Sequence, residues 1–211
     1  MTAKEVFKIA LTLVAIYVAG GLILAVVYAK TSPIMYHNAQ AEKERAVRKL
    51  IPEADHIRAL GDWSVHEKRA EYYVAYQGDR VIGYIIRSFG KGYSSYIDTL
   101  IAVNPDFTVR EIDILGHAET PGLGDEIETE AFRRQFVGKG ARSLNVVTTE
   151  TTEEIQAISG ATISSRAVAE DAVRSGVEFL IQAIKAQDET QTSVRKGDDE
   201  KGQRVLDGEM Q

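Results

Sequence analysis

An α+β architecture follows from three features of the 211-residue chain: an apolar run near the N-terminus, paired β-rich segments in the middle and one long helical pattern near the end. Strands that precede the helix, rather than alternate with helices, point to an antiparallel sheet with helices packed on it. The reading is one N-terminal transmembrane helix followed by a small antiparallel-sheet domain with packed helices. Net charge is −6 with a pI of 5.3 and no basic stripe stands out, which argues against nucleic acid as a partner. The chain has no cysteine, so disulfides, Cys-ligated zinc and Cys-ligated iron–sulfur clusters are excluded, and no metal site is expected.

The first element is Ile9 to Ala29, a 21-residue run without a charged side chain. At about 1.5 Å per residue it covers about 31 Å, matching a bilayer core of about 30 Å. It is too long for the apolar core of a signal peptide, and Lys30-Thr31-Ser32-Pro33 is a poor cleavage site, so a retained anchor over residues 1–30 is expected. Gly20-Gly21 offers a small-residue patch of the kind that allows helices to pack closely in lipid. Lys4 and Lys8 lie on one side of the run, while Lys30, Lys43, Arg45, Arg48 and Lys49 follow it. Positive-inside counting therefore does not place the domain outside.

Ile34 to Leu50 reads as a second, charged helix that Pro52 ends, giving a helical connector over 31–60. The domain proper is expected over 61–187. Tyr72–Tyr76 and Val81–Phe89 form a hairpin across Gln77-Gly78-Asp79-Arg80, and Gly90-Lys91-Gly92 breaks it. Tyr96–Val103 and Phe107–Leu115 form the next pair, joined by the turn signature Asn104-Pro105-Asp106. A helix near Glu128–Phe136 and a short strand over Leu144–Thr148 precede the final helix, whose stripe is Ala169, Val173, Val177, Leu180 and Ile184. Residues 188–211 carry few apolar side chains and read as a charged, disordered tail.

The chemistry concentrates in two stretches. Ser159-Gly160-Ala161-Thr162-Ile163-Ser164-Ser165 joins a glycine turn and four hydroxyls to the start of the long helix, where Thr162, Ser164 or Ser165 can cap it. Helix starts present unpaired N–H groups that favour a phosphate. His117-Ala118-Glu119-Thr120-Pro121-Gly122-Leu123-Gly124 is a Gly/Pro loop ahead of another helix.

With an anchor, this loop and Ser-Gly-Ala-Thr in that order, the chain resembles the FMN-binding G subunit of Rnf electron-transport complexes. It is more distantly similar to the C subunit of the Na⁺-translocating NADH:quinone reductase. The resemblance covers nearly all of residues 1–187. It implies an FMN-binding domain in which Thr162 carries FMN through a phosphoester, and a relay role in ion-translocating ferredoxin:NAD⁺ oxidoreduction beside other membrane subunits and lipid. It also implies a cytoplasmic N-terminus with the globular domain on the periplasmic side. Around Thr162, the phosphate would meet Ser159, Gly160, Ala161 and Ser164, and the ring would meet His117, Glu119, Thr120, Gly122 and Leu123. Tyr93 and Tyr96 have the chemistry to stack on a flavin but read better as residues of the sheet. One departure is Gln156, where the family usually has an acidic residue three positions before the serine.

A threonine alcohol needs a neighbouring base to act as a nucleophile, and no His or Lys lies within several residues of Thr162. An external flavin transferase is therefore expected to attach the cofactor. No Gly-x-Gly-x-x-Gly follows a strand, so a nicotinamide fold is not expected. No catalytic residue is expected in a chain that carries electrons without converting a substrate alone. The competing class is a non-redox, membrane-anchored assembly or binding subunit, in which the Ser-Gly-Ala-Thr turn is purely structural.

Overall fold

The computed structural model describes residues 3–186, so the tail expected over 188–211 lies outside the described residues. The chain divides into two compact units between Arg45 and Ala46. Helix α1 (Ala3–Leu50) makes up the first unit and contributes its last turn to the second. Its segment Phe7–Pro33 is long and apolar enough to cross a membrane, and none of it is buried. The helix runs through Pro33 without the break expected before Ile34. Proline forfeits only one i→i−4 bond, and the helix continues on both sides of it.

The second unit is built on a five-stranded antiparallel meander in chain order: β1 (His56–Val65), β2 (Lys68–Gln77), β3 (Arg80–Lys91), β4 (Tyr96–Val103) and β5 (Val109–Gly116). The β2–β3 turn works because Gly78 takes φ +57° and donates its N–H to Asp55 Oδ2 at 2.6 Å. At the β4–β5 turn, the Asp106 carboxylate accepts from Thr108 N–H at 3.0 Å and from its hydroxyl at 2.7 Å. β1 has no counterpart in the sequence pattern, and it straddles residue 61, where the connector is expected to give way to the domain.

Both faces of the sheet are covered. On one, Ile86, Ile97, Ile101, Val103 and Ile112 pack under the final helix through Val168, Ala169, Val173, Val177 and Leu180. On the other, Ile85, Leu100, Ala102 and Ala75 are sealed by Ala46, Val47, Leu50 and Ile51 from the end of α1 and the turn after it. That second layer is why the compact unit begins at Ala46.

The final helix starts as α3 (Thr162–Arg166), continues as a π-helical stretch over Ala167–Arg174, and returns to α-helix over 175–186. At the π stretch the backbone lies directly on β3. A Cβ on Gly90 would stand 1.8 Å from the Ala167 carbonyl oxygen, so only glycine admits this approach. The remaining elements are short. A 3₁₀ turn (Gly124–Glu128) leads to α2 (Glu130–Arg134), capped by Thr129 Oγ1 accepting from Phe132 N–H, in place of a single helix over Glu128–Phe136. β6 (Val146–Val147) pairs in parallel with β7 (Ile155–Gln156), a strand within what reads in sequence as connecting chain.

Candidate functional site

Three loops meet at the end of the final helix: Gly92–Ser95 between β3 and β4, His117–Gly124 after β5, and Ser159–Ser164 at the start of α3. Between them lies a cleft of about 600 Å³ lined by Tyr93, Glu119, Thr120, Leu123, Gly124 and the run Gly160–Ser164. That volume lies within the usual range of small-molecule sites, roughly 300–1,000 Å³.

Glu119 holds the loops together. Its side chain is 5% exposed, the one ionisable group buried to that extent among the described residues. Oε2 accepts from Tyr93 N–H at 3.0 Å and from the Ser164 hydroxyl at 2.5 Å, while Oε1 accepts from Ser94 N–H at 3.0 Å and Ser95 N–H at 3.2 Å. Burial alone would raise the carboxyl's pKa, but Ser164 and the Ser94, Tyr93 and Ser95 amides outweigh it and hold the group below its ordinary value. Gly124 makes this packing possible, since a Cβ there would stand 2.8 Å from Glu119 Cβ.

The Thr120–Gly124 turn is compact, with the Thr120 carbonyl accepting from Leu123 and Gly124 N–H at 3.2 and 2.9 Å. Gly122 takes φ +73° within it. Across the cleft Gly160 takes φ +79°, and a Cβ there would stand 2.9 Å from Leu123 Cδ1. Both positions need the left-handed conformation, which non-glycine residues adopt at a cost.

The helix is not capped by a hydroxyl. Ala161 occupies the N-cap with φ −124° and ψ 39° and no side-chain bond, which corrects the expectation that Thr162, Ser164 or Ser165 caps it. Ser164 is committed to Glu119. Ser165, fully buried, accepts from Ile158 N–H at 3.0 Å and donates to the Ala161 carbonyl at 2.9 Å, tying the turn to the helix. Thr162, the first helical residue, is half-buried at the cleft wall, and its hydroxyl has no hydrogen-bond partner among the described residues.

Of the residues expected from sequence, Glu119, Thr120, Leu123, Gly160, Ala161, Thr162 and Ser164 line the cleft; His117, Gly122 and Ser159 do not. His117 braces its own loop instead: Nδ1 accepts from Glu119 N–H at 3.1 Å, leaving Nε2–H to donate to Glu128 Oε1 at 3.0 Å. Gln156 is exposed, with its N–H on Gln135 Oε1 at 2.7 Å. The two tyrosines part company. Tyr96 opens β4, as its β-rich surroundings suggest, whereas Tyr93 sits in the turn before that strand and lines the cleft. Gly124 and Ile163 also line it; both lie inside the two stretches that stand out in the sequence, without a role of their own there.

A profile of the FMN-binding domain family matches residues 92–178, a span that contains every residue lining the cleft. The G subunit of the proton-translocating ferredoxin:NAD(+) oxidoreductase complex of Clostridium ljungdahlii is 35% identical over 176 residues, 83% of this chain and 91% of that relative. The chain belongs to the G-subunit family of these complexes. A second member, the G subunit of the ion-translocating oxidoreductase complex of Methanosarcina acetivorans, is 31% identical over 84% of this chain and 96% of its own length. The solved Shewanella oneidensis NqrC is 22% identical, with a TM-score of 0.48 over 64% of this chain and 73% of that one. The two G-subunit relatives are matched over 91% and 96% of their length, against 56% for the C subunit of the Na(+)-translocating NADH-quinone reductase of Yersinia pestis at 28% identity, which favours the G-subunit family.

Proposed function

We propose that this chain is the electron-carrying subunit of a membrane-bound, ion-translocating ferredoxin:NAD⁺ oxidoreductase, relaying electrons through FMN joined to Thr162 by a phosphoester. The carrying observation is the state of the hydroxyls in 159–165. Ser164 and Ser165 are buried and engaged, whereas Thr162 stands in the cleft wall with its oxygen free. The residues present suit the group. Gly160 brings backbone close to the attachment point, the first amides of the helix favour a phosphodiester, and Leu123 and Ile163 supply apolar contact for a ring. When bound, FMN supplies the electron chemistry, and the chain supplies position and electrostatics.

Attachment calls for an external flavin transferase. The cleft lining holds no histidine or lysine, and its one carboxylate, Glu119, already accepts four hydrogen bonds and stays ionised. A base must be free to take a proton, so Glu119 is a poor activator of Thr162. The chain works beside other membrane subunits and lipid as part of a redox-driven translocase. Its N-terminus faces the cytoplasm and its domain the extracytoplasmic side, where the transferase acts.

The test is the full chain expressed with and without a flavin transferase, read by intact mass and by in-gel fluorescence after denaturation. Covalent flavin survives denaturation and should be present only with the transferase. A chain that never acquires the increment would leave the assembly-subunit reading in its place. For the orientation, protease added to intact spheroplasts should digest the domain; digestion only after lysis would reverse it.

A further inference from the structure

Outside α1, the large apolar side chains exposed among the described residues are Tyr93, Tyr96, Leu123, Val137 and Ile163, and three of these five rim the one cleft. Tyr93 is the extreme case, 74% exposed. Exposed apolar groups scattered singly need no explanation, but a cluster around a concavity marks a binding surface.

Tyr93 also combines a fixed backbone with a free ring. Its N–H is held by Glu119 Oε2 at 3.0 Å, the next two amides bind Oε1, and Gly92 N–H closes the turn on the Ser95 carbonyl at 2.8 Å. The turn grips the carboxylate so tightly that a Cβ on Gly92 would stand 2.5 Å from Glu119 Oε1. No hydrogen bond, aromatic neighbour or cation engages the Tyr93 ring among the described residues. Such a side chain has two torsions left to order, so stacking on a planar ligand costs it little entropy.

Resting on the flavin reading above, we infer that Tyr93 is the residue that stacks on the isoalloxazine of the bound FMN, across the cleft from Leu123 and Ile163. Glu119 is a positioning residue that acts on the flavin through the Tyr93 backbone. A tyrosine in contact with a flavin quenches its emission. The excited ring takes one electron from the phenol and returns it, so light is lost with no net chemistry. Offset stacking also imposes a fixed, chiral surrounding on the chromophore and gives it visible circular dichroism.

The experiment uses the full chain co-expressed with a flavin transferase, measuring covalent flavin by intact mass, then emission per bound flavin and visible circular dichroism. Tyr93→Leu should keep the mass increment, raise emission severalfold and weaken the dichroism, while Tyr93→Trp should restore the quenching. Glu119→Gln puts an amide against three backbone donors and should also raise emission. Gly92→Ala, which displaces the same turn, gives a second measure should Glu119→Gln fold poorly. In a Tyr93→Leu background neither change should add to the emission, since non-additivity is the mark of residues that act together. If Tyr93→Leu carries flavin with wild-type emission and dichroism, the stacking role is refuted and the flavin reading stands. If Glu119→Gln or Gly92→Ala brightens the Tyr93→Leu protein as much as wild type, Glu119 does not work through Tyr93. If wild type itself takes up no flavin, both readings fall.

Discussion

Replacing Thr162 with alanine should separate cofactor attachment from folding almost completely. The hydroxyl has no partner to lose, so its removal leaves no buried donor or acceptor unsatisfied. The lost methyl group would be worth about 0.8 kcal/mol if fully buried, and roughly half of that at a half-buried site. Alanine's better helix propensity returns a few tenths of a kcal/mol. The net change should stay within about 0.5 kcal/mol, a shift in Tm of no more than about 2 °C for a chain of this size. Covalent flavin should nevertheless disappear from the intact mass. Thr162→Ser keeps the oxygen and asks whether the transferase also reads the methyl group. Ser164→Ala should do the reverse. It keeps the flavin increment but removes the 2.5 Å bond to Glu119, at roughly 1.5–3 kcal/mol for a hydrogen bond to a charged group. A Thr162→Ala protein that retains the full increment would refute the assignment and move the attachment to another hydroxyl, with exposed Ser159 the first candidate.

Gly160→Ala should destabilise the domain by about 1–2 kcal/mol through its φ of +79° and lower the flavin yield; adding Leu123→Ala relieves the 2.9 Å contact but not the backbone strain, as urea titration would register. For Glu119 the folded carboxyl lies below its unfolded value, so its stabilisation is full above roughly pH 4.3 and is lost as the pH falls through the folded value. Wild type should therefore exceed Glu119→Gln by about 1–3 kcal/mol at neutral pH, and the gap should close in acid; a gap that ignores pH would show that charge is not the cause. A chain beginning at Ala46 should fold as a soluble domain, whereas one beginning at Asp55 loses Leu50 and Ile51, each 1% exposed and worth roughly 1.5–3 kcal/mol. Equal denaturation midpoints for the two would refute the role given to the end of α1.

The hairpins are legible in the sequence because their turns carry their own chemistry: Gly78 and Asn104-Pro105-Asp106 fix chain reversals wherever the flanking strands go. β1 is not, since it is an edge strand with Gly61 inside it and side chains that are exposed or only half-buried, leaving no clean alternation to read. The stripe from Ala169 to Leu180 reads as buried, yet a period of 3.6 cannot reveal that Ala167–Arg174 is wound as π-helix. Two of the three cleft loops stand out as clusters of glycine and hydroxyl. The third, Gly92–Ser95, carries glycine and hydroxyls too, but it reads only as a break between strands, because what joins it to the others is a carboxylate 26 residues from Tyr93 and 45 from Ser164. Sequence patterns report local preferences, and a partner chosen over that distance leaves no local trace.

The π-helical stretch sets the angular phase of everything upstream of it. A π segment behaves as an α-helix with one residue inserted, and each residue of an α-helix turns the chain by about 100°. Were Ala167–Arg174 wound as α-helix with every residue kept, while the stripe at Val173, Val177 and Leu180 held its grip on the sheet, the chain upstream would carry one residue's extra rotation. Thr162 and Ser164 would then swing by about a quarter-turn about the helix axis. Thr162 would leave the cleft wall and Ser164 would lose Glu119, without any change to the residues that line the site. The extra residue thus acts as a phase-setting shim between the packed core and the cleft, with Gly90 as the notch in β3 that seats it.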